Sequence, residues 1–219
     1  MSTYVISDIH CQSELFYKML KKINFQDYDE LYILGDILDR GVGGIKLLQE
    51  VLKMRNVTML MGNHEQNFLD EIKNNYGHGI SHYEFNQLST KEQTQLIDDI
   101  DNLPLIGTLA NSKFILCHAG IETSIKHNNL IDLLDNQDDE FILWAREAYF
   151  LNKGLDNSII ISGHTPTAFI ERNYPQLQAK AGYIWKDPIY NDKYIIDCGA
   201  PFFKRLGCLR LNDMKEFYV

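Results

Sequence analysis

Cysteine is scarce in this chain. Its four copies, Cys11, Cys117, Cys198 and Cys208, are scattered through 219 residues with no CxxC pair, which argues against a disulfide framework and for a reducing, cytoplasmic setting. No apolar run approaches the roughly 18 residues that a membrane span needs. The opening "MSTYVISDIH" has neither a basic start nor an apolar core, so it reads as a strand rather than an export leader. Positive charge is also short: 21 Lys and Arg stand against 30 Asp and Glu, a formal net charge of -9. That balance speaks against nucleic acid as the main partner, because a phosphate backbone is gripped by basic patches. An anionic substrate suits such a chain only where metal ions supply local positive charge. Repeats, low-complexity tracts and linker-like stretches are missing too. With 45% hydrophobic residues, the length fits one compact α/β domain over residues 1–219.

What is present has a rhythm. Residues 3–7 (TYVIS), 30–35 (ELYILG) and 57–62 (VTMLMG) predict buried strands. Residues 13–23, 42–54 and 65–75 predict amphipathic helices, the first with Ser13 as its N-cap. Strands alternating with helices at this spacing predict βαβ units and a mainly parallel sheet. Residues 89–103 open with a capping box, Ser89 to Glu92, and stop before Pro104. Residues 103–120 predict two strands around Asn111-Ser112, and residues 138–152 one helix closed by Gly154. Strands return at 158–163, 193–199, 206–212 and 215–219. The expected fold is α/β, a central β-sandwich of mixed sheets flanked by helices.

The polar residues collect where these strands stop. Asp8 and His10 follow the first, Asp36, Asp39 and Arg40 the second, and Asn63 and His64 the third; His118 follows "KFILC" and His164 follows "SIIISG". In open α/β sheets the ligand crevice lies beyond the carboxyl ends of the strands, so these loops are expected to converge. Asp8, His10, Asp36, Asn63, His118 and His164 offer a mix of oxygen and nitrogen donors that suits manganese, iron or zinc better than calcium. Six side chains exceed the needs of one open site. They suit two ions about 3.5–4 Å apart bridged by one carboxylate, a pair able to hold a hydroxide for in-line attack on phosphorus. Asp36, central in the order of ligands, is the natural bridge. His64 is then free to protonate the leaving oxygen, Asp39 to hold its tautomer, and Arg40 to fork onto phosphate oxygens.

Read together, "SDIHC", "GDILDRG", "GNHEQ", "CHAG" and "SGHTP", in this order over residues 7–166, with "IDCGA" at 196–200, resemble the phosphoprotein phosphatase family of dinuclear metallophosphoesterases, in its bacterial and bacteriophage lambda-phosphatase-like branch. The resemblance implies a calcineurin-like metallophosphoesterase fold and two divalent ions, with manganese expected and iron or zinc fitting the same ligands. Asp8, His10 and Asp36 would hold one ion, and Asp36, Asn63, His118 and His164 the other. His64 would be the general acid, paired with Asp39; Arg40, Asn63 and His64 would bind the substrate phosphate. The resemblance alone adds Arg146, in "LWARE", as a second phosphate clamp. It implies a serine/threonine protein phosphatase, extending to phosphotyrosine, acting on a phosphoprotein or phosphopeptide. No Cys-x5-Arg signature is present, so one-step hydrolysis without a phosphoenzyme is expected.

A diadenosine tetraphosphatase-type nucleotide hydrolase shares this core and is the alternative. Such enzymes tend to carry Asp after GNH, and their bacterial form lacks DRG, so "DRG" and "GNHE" favour the phosphatase. A phosphoprotein-binding module with a degenerate site is the other rival, disfavoured by the complete ligand set. Ser7 and Cys11 stand where the family has glycine, and the expectation for Cys11 is an inert thiol over an oxidisable one. The segment "YGHGISHYEF" (76–85) is expected to be a mobile substrate-facing loop, or plain surface, rather than a metal site at His78 and His82. Residues 171–193 predict either a hairpin offering Tyr183, Trp185 or Tyr190 to substrate, or a structural flap.

Overall fold

The computed structural model describes every residue from Met1 to Val219. Its strands are β1 (Thr3–Ile6), β2 (Glu30–Ile33), β3 (Val57–Met59), β4 (Ile106–Leu109), β5 (Phe114–Cys117), β6 (Ile159–Ser162), β7 (Trp185–Lys186), β8 (Lys193–Ile195), β9 (Gly207–Arg210) and β10 (Lys215–Tyr218). They form two five-stranded sheets, ordered β10-β9-β1-β2-β3 and β4-β5-β6-β8-β7. The pairs β1–β2, β2–β3, β5–β6 and β6–β8 are parallel. Antiparallel pairing of β9, β10, β4 and β7 makes both sheets mixed.

Alternation along the strands decides how the layers stack. Val5, Leu34 and Leu60 of the first sheet meet Phe114, Leu116, Ile161 and Ile196 of the second in one core. Their neighbours Tyr4, Ile6, Leu31 and Ile33 point the other way, onto the helices α1 (Ser13–Lys22), α2 (Gly44–Leu52), α3 (Asn63–Lys73), α4 (Ile80–Asn86) and α5 (Thr90–Asp101). On the far side Ile115, Cys117 and Ile160 pack against α7 (Asp139–Trp144), α8 (Glu147–Phe150) and α9 (Thr167–Asn173). Two shorter helices, α6 (Leu130–Asp135) and α10 (Ala200–Phe203), lie in the connections. Strands buried on both faces must be apolar at nearly every position, which is why they read as unbroken runs. No helix is long and apolar enough to cross a membrane.

Local expectations hold unevenly. The Ser89–Glu92 capping box forms as read. At α1 the N-cap is Gln12, without a side-chain cap, and not Ser13. Here tertiary bonds set the helix entry: the amides of His10 and Cys11 donate to the carbonyls of Asp36 and Ile37. The helix expected at 138–152 is two short ones, because Ala145 (φ -59°, ψ 141°) and Arg146 (φ -130°, ψ -103°) leave the helical region. The expected loop at 76–85 ends in a helix, α4. β7 and β8 pair as a small hairpin within residues 171–193 plus its return strand.

Candidate metal centre

Asp8, Asp36, Asn63, His118 and His164 lie beyond the carboxyl ends of the five strands β1, β2, β3, β5 and β6. The sandwich brings these five ends to one place. Two groups of ligand atoms form there, His10–Asp36–His64 and Asp36–His118–His164, with the atoms of each within 4.8 Å of one another and Asp36 common to both. His10 Nε2 is 3.5 Å from Asp36 Oδ2, and His118 Nε2 is 3.6 Å from Asp36 Oδ1. Asn63 Oδ1 lies 2.8 Å from His118 Nε2 and 3.0 Å from His164 Nδ1. Asp8 Oδ2 accepts the His164 amide at 2.9 Å and the hydroxyl of Ser7.

Two tautomers follow from backbone contacts. His10 Nδ1 faces the Leu38 carbonyl at 2.8 Å and His118 Nδ1 the Leu34 carbonyl at 2.6 Å. A carbonyl only accepts, so each Nδ1 carries the proton and each Nε2 presents a lone pair to the cluster. Burial lowers the His10 pKa to about 4 and that of His164 further still, Arg146 and His118 adding to the latter. Both rings are therefore neutral, the ligating form.

The acids behave in the opposite sense. Burial, then the charges of Asp8 and Glu65, push Asp36 well above the usual carboxylate range; burial and Asp8 do the same to Asp197. Crowded buried carboxylates beside neutral imidazoles are a donor set that a cation stabilises. His164 Nε2 is itself buried without a hydrogen-bond partner. An orphaned imidazole nitrogen, a shared carboxylate and a mixed O/N donor set fit divalent ions of the borderline class.

Glycine and strain close the loops. At Gly35 (φ 86°) an added Cβ would sit 2.5 Å from Gly62 Cα, so the second and third loops meet backbone to backbone. Asp8, His10, Asp36, Asp39, Arg40 and His164 all have φ between 46° and 63°, a region costing about 1 kcal/mol or more for each non-glycine residue. Glu65 helps hold that strain: its carboxylate accepts the amides of Asp36 (2.8 Å), Ile37 (2.9 Å) and Leu38 (3.0 Å). Cys11 shares the strained backbone at φ 61°. Its Cβ and Sγ pack on Gly41 and Gly44, and its Sγ faces the Asp39 carbonyl at 3.2 Å. Burial pushes the thiol up to about 12, which keeps it protonated and unreactive at neutral pH.

Beside the ligands runs a second chain of contacts. His64 Nδ1 donates to Asp39 Oδ2 at 2.6 Å, and Ser81, buried on α4, donates to the other oxygen, Oδ1, at 2.7 Å. Burial alone would lower the His64 pKa, but Asp39 and the charge of Asp36 outweigh it and raise it. Burial would raise Asp39, yet the bonds from His64 and Ser81 hold it below its usual range. Arg40 Nη2 is 3.3 Å from His64 Nε2. Arg146 has its guanidinium over Phe169 at 5.8 Å and its charge acts on His164, while Trp144, the last residue of α7 before the break, meets the His164 ring edge-on with centroids 5.9 Å apart.

Some of these participants escape a reading of the chain alone. Ser81 meets Asp39 from 42 positions away, and no motif marks it. Glu65 is visible in "GNHE", but its three amide partners are not. Asp197, 3% exposed, is legible only as part of "IDCGA". Other candidates find ordinary duties. His82 is buried against Phe68 and 3.1 Å from Glu71, while His78 is exposed. Trp185 is core and donates to the Leu177 carbonyl at 2.8 Å. Tyr183 stacks on Tyr218 and Arg205, and Tyr190 covers the Lys193 ammonium.

Known proteins place this arrangement. Residues 1–198 match the profile of the calcineurin-like phosphoesterases. A symmetrical bis(5'-nucleosyl)-tetraphosphatase of Wigglesworthia glossinidia brevipalpis is 35% identical over 144 residues, covering 62% of this chain and 50% of that protein. The enzyme of the same name from Buchnera aphidicola subsp. Schizaphis graminum is 32% identical over 123 residues, 55% of this chain and 45% of its own length. The chain thus spans about half the length of these relatives. Among solved structures, a candidate diadenosine tetraphosphatase aligns over 100% of this chain and 92% of its own (TM-score 0.70, 16% identity). A protein serine/threonine phosphatase from Saccharomyces cerevisiae aligns over 100% of this chain and 79% of its own (TM-score 0.64, 15% identity). At such identities the likeness is one of fold.

The relatives correct the expectation of a protein phosphatase with a phosphoprotein or phosphopeptide partner, since they are named as nucleotide hydrolases. The physical reason is local. Asp39 of "DRG" orients His64, and Glu65 of "GNHE" ties down three loop amides. Both build the centre and neither reaches toward the group that leaves, so neither reports the substrate. Fold, ligand groups and the match over residues 1–198 agree that the chain belongs to the calcineurin-like phosphoesterase family.

Proposed function

We propose that this chain hydrolyses a dinucleoside tetraphosphate at its central P–O–P anhydride, releasing two nucleoside diphosphates. The observation that carries the reaction class is the sharing of Asp36 between two ligand groups; relatives of 30% identity and above supply the substrate class. Asp8, His10 and Asp36 would hold one divalent ion, and Asp36, Asn63, His118 and His164 the other. Bound ions would supply Lewis-acid charge at phosphorus and lower the pKa of an attacking water. Manganese is the ion to test first, and both sheets contribute ligands, so residues 1–219 act as one unit in this reading.

The remaining steps belong to side chains. Water adds across the central anhydride, its oxygen to one phosphorus and a proton to the bridging oxygen that departs. His64 is the acid for that proton: Asp39 engages Nδ1, which leaves Nε2 to face the site. His64 also appears in a ligand group, but its Nε2 stands 3.9 Å from Asp36 and 3.3 Å from the Arg40 guanidinium. A nitrogen beside a fixed cation suits proton transfer to an anion better than metal ligation. Arg40 and Arg146, whose charges both reach His164, bind the phosphate oxygens as charge shifts to the leaving arm.

The test is product analysis. Manganese-loaded protein is incubated with diadenosine tetraphosphate and the nucleotides are separated by ion exchange. ADP as sole product is expected. AMP with ATP would overturn central cleavage, and turnover of phosphopeptide without turnover of dinucleotide would overturn the substrate class.

A further inference from the structure

Cleavage at the middle of a symmetrical substrate makes a geometric demand. With the central anhydride at the candidate metal centre, an equal nucleoside diphosphate arm extends from each side of the bond that breaks, and each arm ends in a base. Aromatic faces are the usual partners of bases, because stacking needs only a π-face and is tolerant of sequence. Two exposed aromatic rings pair with residues of this site. Phe202, on α10, is 62% exposed and lies under the Arg40 guanidinium, 5.2 Å from centroid to Cζ. Trp144, at the end of α7, is 42% exposed and its ring centroid is 5.9 Å from that of His164, beside Arg146.

These pairs touch different ligand groups. Arg40, over Phe202, is 3.3 Å from His64 of one group; Trp144 meets His164 of the other, and Arg146, two residues along the chain, acts through its charge on the same imidazole. Each arginine that can hold a phosphate thus has an exposed ring next to it. Both rings keep surface open to solvent beside the charged groups of the centre, where a base can stack on them.

We infer that Phe202 and Trp144 are the two base platforms, each stacking one purine of the dinucleotide while its neighbouring arginine holds the attached phosphates. This rests on the dinucleotide reading above and adds the residues that select nucleotides over bare phosphate chains. Tyr183, Trp185 and Tyr190, the aromatics that the chain alone offers for substrate contacts, are engaged elsewhere.

The experiment compares one arm with and without its nucleoside. ADP and inorganic pyrophosphate are titrated calorimetrically into manganese-loaded wild type, Trp144→Ala and Phe202→Ala, and turnover of diadenosine tetraphosphate is measured on the same samples. The advantage of ADP over pyrophosphate should fall about tenfold in each alanine variant, with Trp144→Phe and Phe202→Tyr restoring it. Parallel weakening of both ligands would overturn the inference, because the rings would then only support the arginines. An undiminished ADP advantage in both alanine variants, with wild type still cleaving the dinucleotide, would sink the platforms alone. Wild type that neither favours ADP nor cleaves the dinucleotide would overturn the substrate reading along with them. Thermal melting of each variant identifies any that has lost the fold, and the aromatic replacements then carry the comparison.

Discussion

At the scale of single residues, what each side chain already touches separates the proposed ligands from the proposed proton carrier. His10 and His118 spend Nδ1 on a backbone carbonyl and turn Nε2 inward. His64 spends Nδ1 on Asp39 instead, and a carboxylate partner supports an imidazolium as a carbonyl does not. The consequence is measurable. His64→Asn should lower kcat by about 10²-fold on diadenosine tetraphosphate, and by less on a nitrophenyl ester of a nucleotide, whose departing oxygen needs no proton. Equal losses on both substrates would remove the acid role from His64. Asp36 is the other decisive residue, because both ligand groups include it. Metal analysis of Asp36→Asn after manganese loading should find neither site filled; one retained equivalent would restrict Asp36 to a single group.

Among the elements, α4 has the least predictable duty. It is seven residues long, too short to be stable alone, and it is held by three contacts. Ser81 reaches Asp39, Glu84 accepts the amides of Gly43 (2.5 Å) and Ile45 (3.2 Å), and His82 meets Glu71 at 3.1 Å. The helix therefore clamps the loop that carries Asp39 and Arg40. Outer-shell bonds of this kind are worth roughly 10- to 100-fold in activity. Ser81→Ala is expected to lower kcat about tenfold with little change in KM, and to cost nothing further when Asp39 is already Asn. A full extra loss in the double variant would mean that Ser81 acts by another route. The break between α7 and α8 works in the same spirit. A continuous helix would set Arg146 about 200° round its surface from Trp144; the extended Ala145 (ψ 141°) takes it off that path, where its charge acts on His164.

Over the whole molecule, stability and activity are supported in different places. Far from the centre, Lys193 is fully buried, with its ammonium 2.8 Å from Asp187 and 2.7 Å from Asp192. Asp192 also accepts the Gly154 amide at 2.7 Å, tying the connection after α8 to β8. Lys193→Met leaves two buried acids without a cation, and urea unfolding should show a loss of about 3–5 kcal/mol. The pH dependence has a definite sign. Burial acts to raise Asp187, but Lys193 and the Ile189 amide outweigh it and hold the carboxyl below its usual range. A depressed acid contributes stability above its unfolded pKa, about 3.9, and the contribution fades as pH falls through the lower folded value. The gap between wild type and Lys193→Met should therefore be widest near neutrality and narrow in acid; a constant gap would assign the loss to packing.

The same division runs through what the chain reveals about itself. Asp8, Asp36, Asn63, His118 and His164 could be read from the amino-acid order because each lies within a few residues of the strand that presents it. Strand, turn and ligand are local. The double-sided burial of those strands was legible too, in their unbroken apolar runs. Ser81 on Asp39, three amides on Glu65, Arg146 turned at a helix break and two rings beside two arginines were not legible. Each depends on segments dozens of residues apart arriving at one point, and no period or spacing records that meeting. Substrate choice falls on this second side. The motifs encode the candidate metal loops, whereas the rings proposed to take the arms of the substrate lie on α7 and α10, whose place beside the centre exists only once the two sheets have closed.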